Sequence, residues 1–361
     1  MARTYPVIAR NSSFVYKGKA VDVKQVSREL GVRYLVEGSV RRIGIRVRIT
    51  AQLIDATDGT HVWAERFDRE FADIFALQDE ITNSIMQILS PELFRVETAR
   101  AARLRPEGLG AYDCFMRAGW HFNKYSKEDS AEARRLLEKA IELDPQITYV
   151  HPLLAMVHYL ALINQWTASP GEAVAAVIKC AEKGVALDAG NPLAQMAWGA
   201  ACSLTQQRDK MIAAFESAIE LNPSLTTAHS MLGAYLAMAG RHEDAIAHLE
   251  KAVRLNPRDP FNWLSFYGMG MAHFAAGNYE ESVKWAKKSV QNREDLAMGY
   301  RTLATSYAFL GRDDEARTAF QAVLRLQPDI SVSHVRLNLS SADPAFTDRF
   351  IDGLRKAGLK E

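Results

Sequence analysis

Arg41, Arg42, Arg46 and Arg48 lie within the stretch "RRIGIRVR", and arginines packed this closely are the side chains that grip phosphate or carboxylate groups. The first 50 residues hold 11 Lys or Arg against 3 Asp or Glu, whereas residues 51–110 hold 6 against 11. The whole chain carries 44 basic and 43 acidic side chains, a net charge of +1, so it has no general attraction to polyanions. Every odd position from Ile45 to Leu53 is apolar, which leaves Arg46, Arg48, Thr50 and Gln52 on the opposite face of a strand. Asp55, Glu65, Asp68 and Glu70 follow closely enough to lie across from them. The pattern predicts the solvated, partly ion-paired face of a half-buried sheet. Its alternative is an anion or partner face at Arg41, Arg42, Arg46 and Arg48, with nucleic acid as the less favoured occupant.

Other residues with chemical potential are sparser. His151 and His158 are seven apart, and His242 and His248 six apart, with no H-E-x-x-H and no cysteine or carboxylate cluster beside them, so no metal site is expected. Gly268 and Gly270 lack the third glycine and the preceding strand of a dinucleotide loop, and no cofactor is expected. There is no G-x-S-x-G, no Walker loop and no Cys/His pair, so the chain reads as non-enzymatic. Cys114, Cys180 and Cys202 are far apart among apolar residues and read as reduced core thiols. The longest apolar run, "PLLAMVHYLALI", is too short to cross a bilayer, and the chain reads as cytoplasmic.

The elements that must position these residues change character along the chain. From Tyr34 to Phe67 the hydrophobic period is two, broken at Gly44 and Asp58-Gly59, which predicts three antiparallel strands in a meander. A helix is expected before them, capped by Asp22 and stopped at Gly31, and another after Asp73; a short first strand is expected near Val7 to Arg10. From about Ala111 the period becomes helical and a repeat appears: "KAIELDP", "SAIELNP", "KAVRLNP" and "AVLRLQP" are near copies. Pro223 and Pro257 stand 34 residues apart, the period of a tetratricopeptide solenoid built from helix pairs. The expected fold is therefore mainly α, a right-handed tetratricopeptide (TPR) solenoid preceded by a small α/β domain. Residues 1–105 form the first part, 106–328 six helix pairs, and 329–361 a capping helix on which Phe346, Phe350, Ile351 and Leu354 share a face.

In that frame Gly233 and Ala245 let paired helices approach, Gly240 turns the chain, and the first helix of each pair lines a concave groove. The groove positions are Thr227, Ser230, Ala234, Ala237 and Met238, then Leu264, Tyr267, Met271, Phe274 and Ala275, then Met298, Arg301, Thr305, Ala308 and Phe309. Methionines and aromatics with one arginine suit an apolar or mixed peptide segment, unless a neighbouring helix fills the groove.

Three motifs, "RELGVRYLVEGSVRR", "RITAQLIDATDGTHVWAERFD" and "DIFALQDEI", resemble the TolB-like N-terminal domain that precedes tetratricopeptide repeats in bacterial proteins, many of them class III adenylate cyclases. The resemblance extends through the repeats to "DPAFTDRFIDGLRKAGL". It implies a regulatory scaffold that binds a protein or peptide, with a cyclase or other signalling protein as partner. A chain labelled a cyclase through its relatives, able to turn over ATP, is the enzymatic alternative, and relatives tethered to a membrane would allow a periplasmic location. Relatives begin the α/β domain with a strand and helix ahead of the position of Val7, so the sheet is expected to lack its first strand and to leave an open edge that invites self-association.

Overall fold

The computed structural model describes residues 12–13, 15–16, 21–70, 85, 93–101, 109–257, 259, 261–339 and 342–360. The chain divides into two compact units, Met1–Leu109 and Gly110–Glu361.

In the first unit, helix α1 (Val23–Leu30) starts where the Asp22 carboxylate accepts the Lys24 backbone N–H, and ends at Gly31, whose φ of 65° favours glycine. Strands β1 (Tyr34–Ile43), β2 (Arg46–Asp55) and β3 (Thr60–Glu70) form an antiparallel sheet in the order β1-β2-β3. Val47, Ala51 and Leu53 are buried as the alternation requires. Opposite Leu53 and Ile54 the register with β3 skips Val62, while the pairing of β2 with β1 stays regular, and Leu53, Ile54, Asp55 and Ala56 are buried in succession. The buried Asp55 carboxylate accepts from the Arg33 guanidinium at 2.8 Å and from the Thr57 hydroxyl at 2.6 Å. Burial pushes its pKa up, but the Thr57 and Arg33 bonds outweigh this and hold it below the usual carboxylate value. Tyr34 donates to Glu97 at 2.6 Å, tying the sheet to the helical residues 93–101. The strand expected near Val7 and most of the helix expected after Asp73 lie outside the described residues.

The second unit is a run of paired antiparallel helices. The pairs are α2 (Ala111–Lys124) with α3 (Lys127–Leu143), α4 (Val150–Ile163) with α5 (Pro170–Leu187), and α6 (Pro192–Leu204) with α7 (Arg208–Leu221). They continue as α8 (Thr226–Met238) with α9 (His242–Leu255), α10 (Asn262–Ala275) with α11 (Tyr279–Asn292), and α12 (Ala297–Phe309) with α13 (Asp313–Leu326). Two further helices, α14 (Val332–Asn338) and α15 (Pro344–Ala357), complete it. Close approach within a pair depends on missing side chains: a Cβ at Gly233 would meet Leu249 Cγ at 2.6 Å.

The turns inside the pairs separate into two kinds. The last three use glycine at positive φ, at Gly240, Gly277 and Gly311. The first three place Tyr125, Gln165 and Gln206 there, at φ of 55° to 59°, which costs each about 1 kcal/mol or more. Two of these side chains are put to structural use. Tyr125 packs edge-on to Trp166, Phe261 and Trp263 with ring centroids 5.2 to 5.8 Å apart, and the Gln165 amide donates to the His334 ring. The Arg293 guanidinium donates to the Tyr125 carbonyl at 2.9 Å, so the end of α2 is fastened to the start of α10 and the end of α11. The solenoid thereby closes on itself from the first pair to the fifth.

Candidate functional site

The first helices of the pairs form the inner wall, and α14 and α15 fold against it. Phe346 and Phe350 of α15 meet Phe274 of α10 edge-on, at 5.8 and 5.5 Å, and Phe309 meets it at 5.6 Å. Gly353 brings α15 so near α12 that a Cβ there would stand 2.5 Å from Thr305 Cγ2. Arg349 donates to the Ala275 carbonyl at 2.7 Å, placing a cation on the C-terminal end of α10 where its dipole is negative.

This packing corrects the expectation of an open peptide groove. Met271, Phe274 and Thr305 have no exposed surface, and Ser230 is 3% exposed. Their polar atoms are used internally: the Ser230 hydroxyl donates to the Thr226 carbonyl and pairs with Ser265, while the Thr305 hydroxyl donates to the Phe350 carbonyl. Ala237 is buried, and Phe309 is stacked on Tyr279 at 5.0 Å with the Lys356 ammonium 4.6 Å from its ring centroid. At Phe274, Thr305 and Phe309 the cover is the amphipathic α15, whose Phe346, Phe350, Ile351 and Leu354 gain from leaving water, whereas Ser230 pairs with Ser265 of α10 and Met271 with Thr302 of α12.

Seven of the remaining groove positions come together around a cavity of about 100 Å³. Thr227, Ala234, Met238, Leu264, Tyr267, Met298 and Arg301 line it. So do residues that the repeat frame does not single out: Phe122 of α2, Met156 and Tyr159 of α4, and Val335 and Asn338 of α14. The signal for α4 was present in its sequence, because "PLLAMVHYLALI" is apolar nearly all round and such a helix must be covered on several sides. The Tyr159 and Tyr235 hydroxyls pair at 2.8 Å along one wall. Arg301 is 4% exposed and has no hydrogen bond or ion pair among the described residues. Burial lowers its pKa, with the Tyr267 hydroxyl the neighbouring group that acts the other way.

The arginine cluster resolves as two faces. Arg41 and Arg48 are cross-strand partners, and Arg48 donates to Asp68 at 2.7 Å while Arg66 reaches the same carboxylate at 3.3 Å. Arg46 stands opposite Glu70 in the register. Arg42 pairs with Val47 on the other face and donates to the Gly44 carbonyl. The polar face is thus mixed in charge, with Glu37 and Asp68 among its arginines. His229 and His248 are 2.9 Å apart through their Nδ1 atoms, yet no group of three or more His, Cys, Asp or Glu able to hold a metal occurs among the described residues. The three cysteines are free, and burial pushes the Cys180 thiol up to about 11.

The tetratricopeptide repeat family matches residues 199–260 and again residues 302–329. The second unit is a tetratricopeptide-repeat solenoid. Its fold is similar to the solved APC/C hetero-tetramer Cut9-Hcn1, with a TM-score of 0.50 at 15% identity over 77% of this chain and 60% of that one. The type IV pilus biogenesis factor PilW is similar at a TM-score of 0.42 and 17% identity, over 59% of this chain and 89% of that one. By sequence the chain is 41% identical over 207 residues to a protein of Rhizobium meliloti (strain 1021) named Putative adenylate cyclase 3. That match covers 56% of this chain and 35% of the relative, so the chain spans about a third of its length. No described helix is long and apolar enough to cross a membrane.

Proposed function

We propose that this chain is a non-catalytic protein-interaction scaffold that serves a nucleotide-cyclase signalling protein. The observation that carries the reading is the pairing of a tetratricopeptide solenoid with 41% identity over 207 residues to a protein named as an adenylate cyclase. The resemblance of the α/β unit to the TolB-like domain of cyclase regulatory regions points the same way. Because α15 covers Phe274 and Thr305 and Met271 is fully buried, a partner segment has no access to them, and the docking surface belongs elsewhere. The edge strand β1 is its best location. Val36 and Val40 are 55% and 71% exposed and Ile43 83%, beside an edge that pairs with no other strand among the described residues.

The test mixes the purified chain with the part of the Rhizobium meliloti relative that lies outside the matched residues. Co-sedimentation, together with a changed rate of cyclic AMP formation, is the expected result. Val36→Lys combined with Val40→Lys abolishes both, while the helical circular dichroism stays unchanged. Absence of a complex refutes the partner, retention of the complex by the double variant refutes the β1 site, and ATP turnover by the chain alone refutes the non-catalytic reading.

A further inference from the structure

Arg301 is the exception among the charges drawn to the inner wall. Arg293 and Arg349 each reach backbone carbonyls, at 2.9 and 2.7 Å, but the guanidinium of Arg301 faces the cavity with no partner among the described residues. Buried polar groups in folded proteins are nearly always hydrogen-bonded, and a buried cation is the costliest kind to leave alone. The Tyr267 hydroxyl, which also lines the cavity and also has no hydrogen bond among the described residues, is its polar neighbour. Two donors of this kind in a largely apolar space form half of a binding site.

The missing half is constrained by what surrounds it. Met156, Tyr159, Tyr235, Met238, Leu264 and Met298 offer methylene, thioether and ring surface, which suits an apolar body. Arg301 is the one cation lining the space among the described residues, so a single negative charge is matched and a second would be buried unpaired. His334, near Arg301, is held neutral, with burial lowering its pKa to about 4, and adds no charge. A planar carboxylate meets a guanidinium through two parallel hydrogen bonds. The volume gives room for roughly ten non-hydrogen atoms.

We propose that the cavity between α4, α8, α10, α12 and α14 binds a small organic acid, an apolar body carrying one carboxylate, with that carboxylate held by Arg301 and Tyr267. The occupied site would tie the inner wall to α14 and so make the solenoid a sensor of that acid. The inference does not depend on where a protein partner docks.

The experiment is calorimetric titration of the intact chain with octanoate and 3-phenylpropanoate, each compared with its neutral counterpart, 1-octanol and 3-phenylpropan-1-ol. At least one acid is expected to bind one-to-one and about tenfold or more tighter than its alcohol. Arg301→Met removes that preference, leaves the alcohol's affinity within about threefold, and raises the melting temperature of the ligand-free protein because an unpaired buried charge is gone. Tyr267→Phe weakens the acid and not the alcohol. Acids that bind no better than alcohols, acids that fail to bind at roughly 1 mM, or a preference that survives Arg301→Met each overturn the proposal. Should Arg301→Met not fold, the wild-type comparison of acid with alcohol decides alone.

Discussion

Substituting Gly353 by alanine tests whether α15 is an integral wall of the solenoid. In the native packing a Cβ at this position would lie 2.5 Å from Thr305 Cγ2, 3.0 Å from Phe309 Cε2 and 3.1 Å from the Thr305 Cα. Carbon atoms pack at about 3.5 to 4.0 Å, so the first contact is short by about 1 Å. Rotating the Thr305 side chain relieves only that contact and disturbs its bond to the Phe350 carbonyl; the backbone contact remains. α15 must therefore move off α12. Overpacking of this kind costs about 1–3 kcal/mol, and the better helix propensity of alanine returns about 1 kcal/mol, leaving a net loss of up to about 2 kcal/mol. Because a solenoid couples mainly neighbouring elements, the loss should concentrate in the amides of α15 and α12. Native-state hydrogen exchange reads it residue by residue, with Gly171→Ala, where nothing lies within 4 Å of the new methyl, as the control. If Gly353→Ala protects α15 as well as or better than wild type, the close approach is not what holds the wall, and the account of the closed groove fails.

Two more predictions concern a buried imidazole within a helix pair and the fastening of α2. Burial lowers the His229 imidazole to about 4, with Lys251 and His248 adding to the effect against the Pro223 carbonyl. The unfolded chain takes up this proton near pH 6.5 and the folded one only near pH 4, so the contribution is fully present above 6.5 and is lost as pH falls through that window. Urea unfolding of wild type and His229→Gln at several pH values should show the variant flatter, by up to about 3 kcal/mol between the ends of the window; parallel curves would sink this assignment. Arg293→Ala removes the charged hydrogen bond to the Tyr125 carbonyl and should cost about 1.5–3 kcal/mol, with faster proteolysis at the turn between α2 and α3. Unchanged cleavage there would show that the fastening is dispensable.

Local sequence rules were enough for the elements themselves. Alternation from Ile45 to Leu53 and the Asp58-Gly59 turn specified the meander, and the caps Asp22 and Gly31 bounded α1, because these features depend on residues a few positions apart. The spaced prolines and the glycines at 240, 277 and 311 did the same for the helix pairs. The run of four buried residues from Leu53 to Ala56 was not visible in that way, since Asp55 is held inside by Arg33 and Thr57.

What only the tertiary structure decided is the use of the inner wall. The repeat frame lists the same face for Phe274 and Met298, yet one is sealed under α15 and the other borders a cavity. Which of these happens depends on the curvature accumulated over six pairs and on where Phe346, Phe350 and Gly353 land after the chain has closed on itself. Arg301 shows the same limit: its place on α12 follows from the period of the helix, but its lack of a partner depends on side chains up to 179 residues away in sequence, from Phe122 to Arg301, that meet only in the folded solenoid.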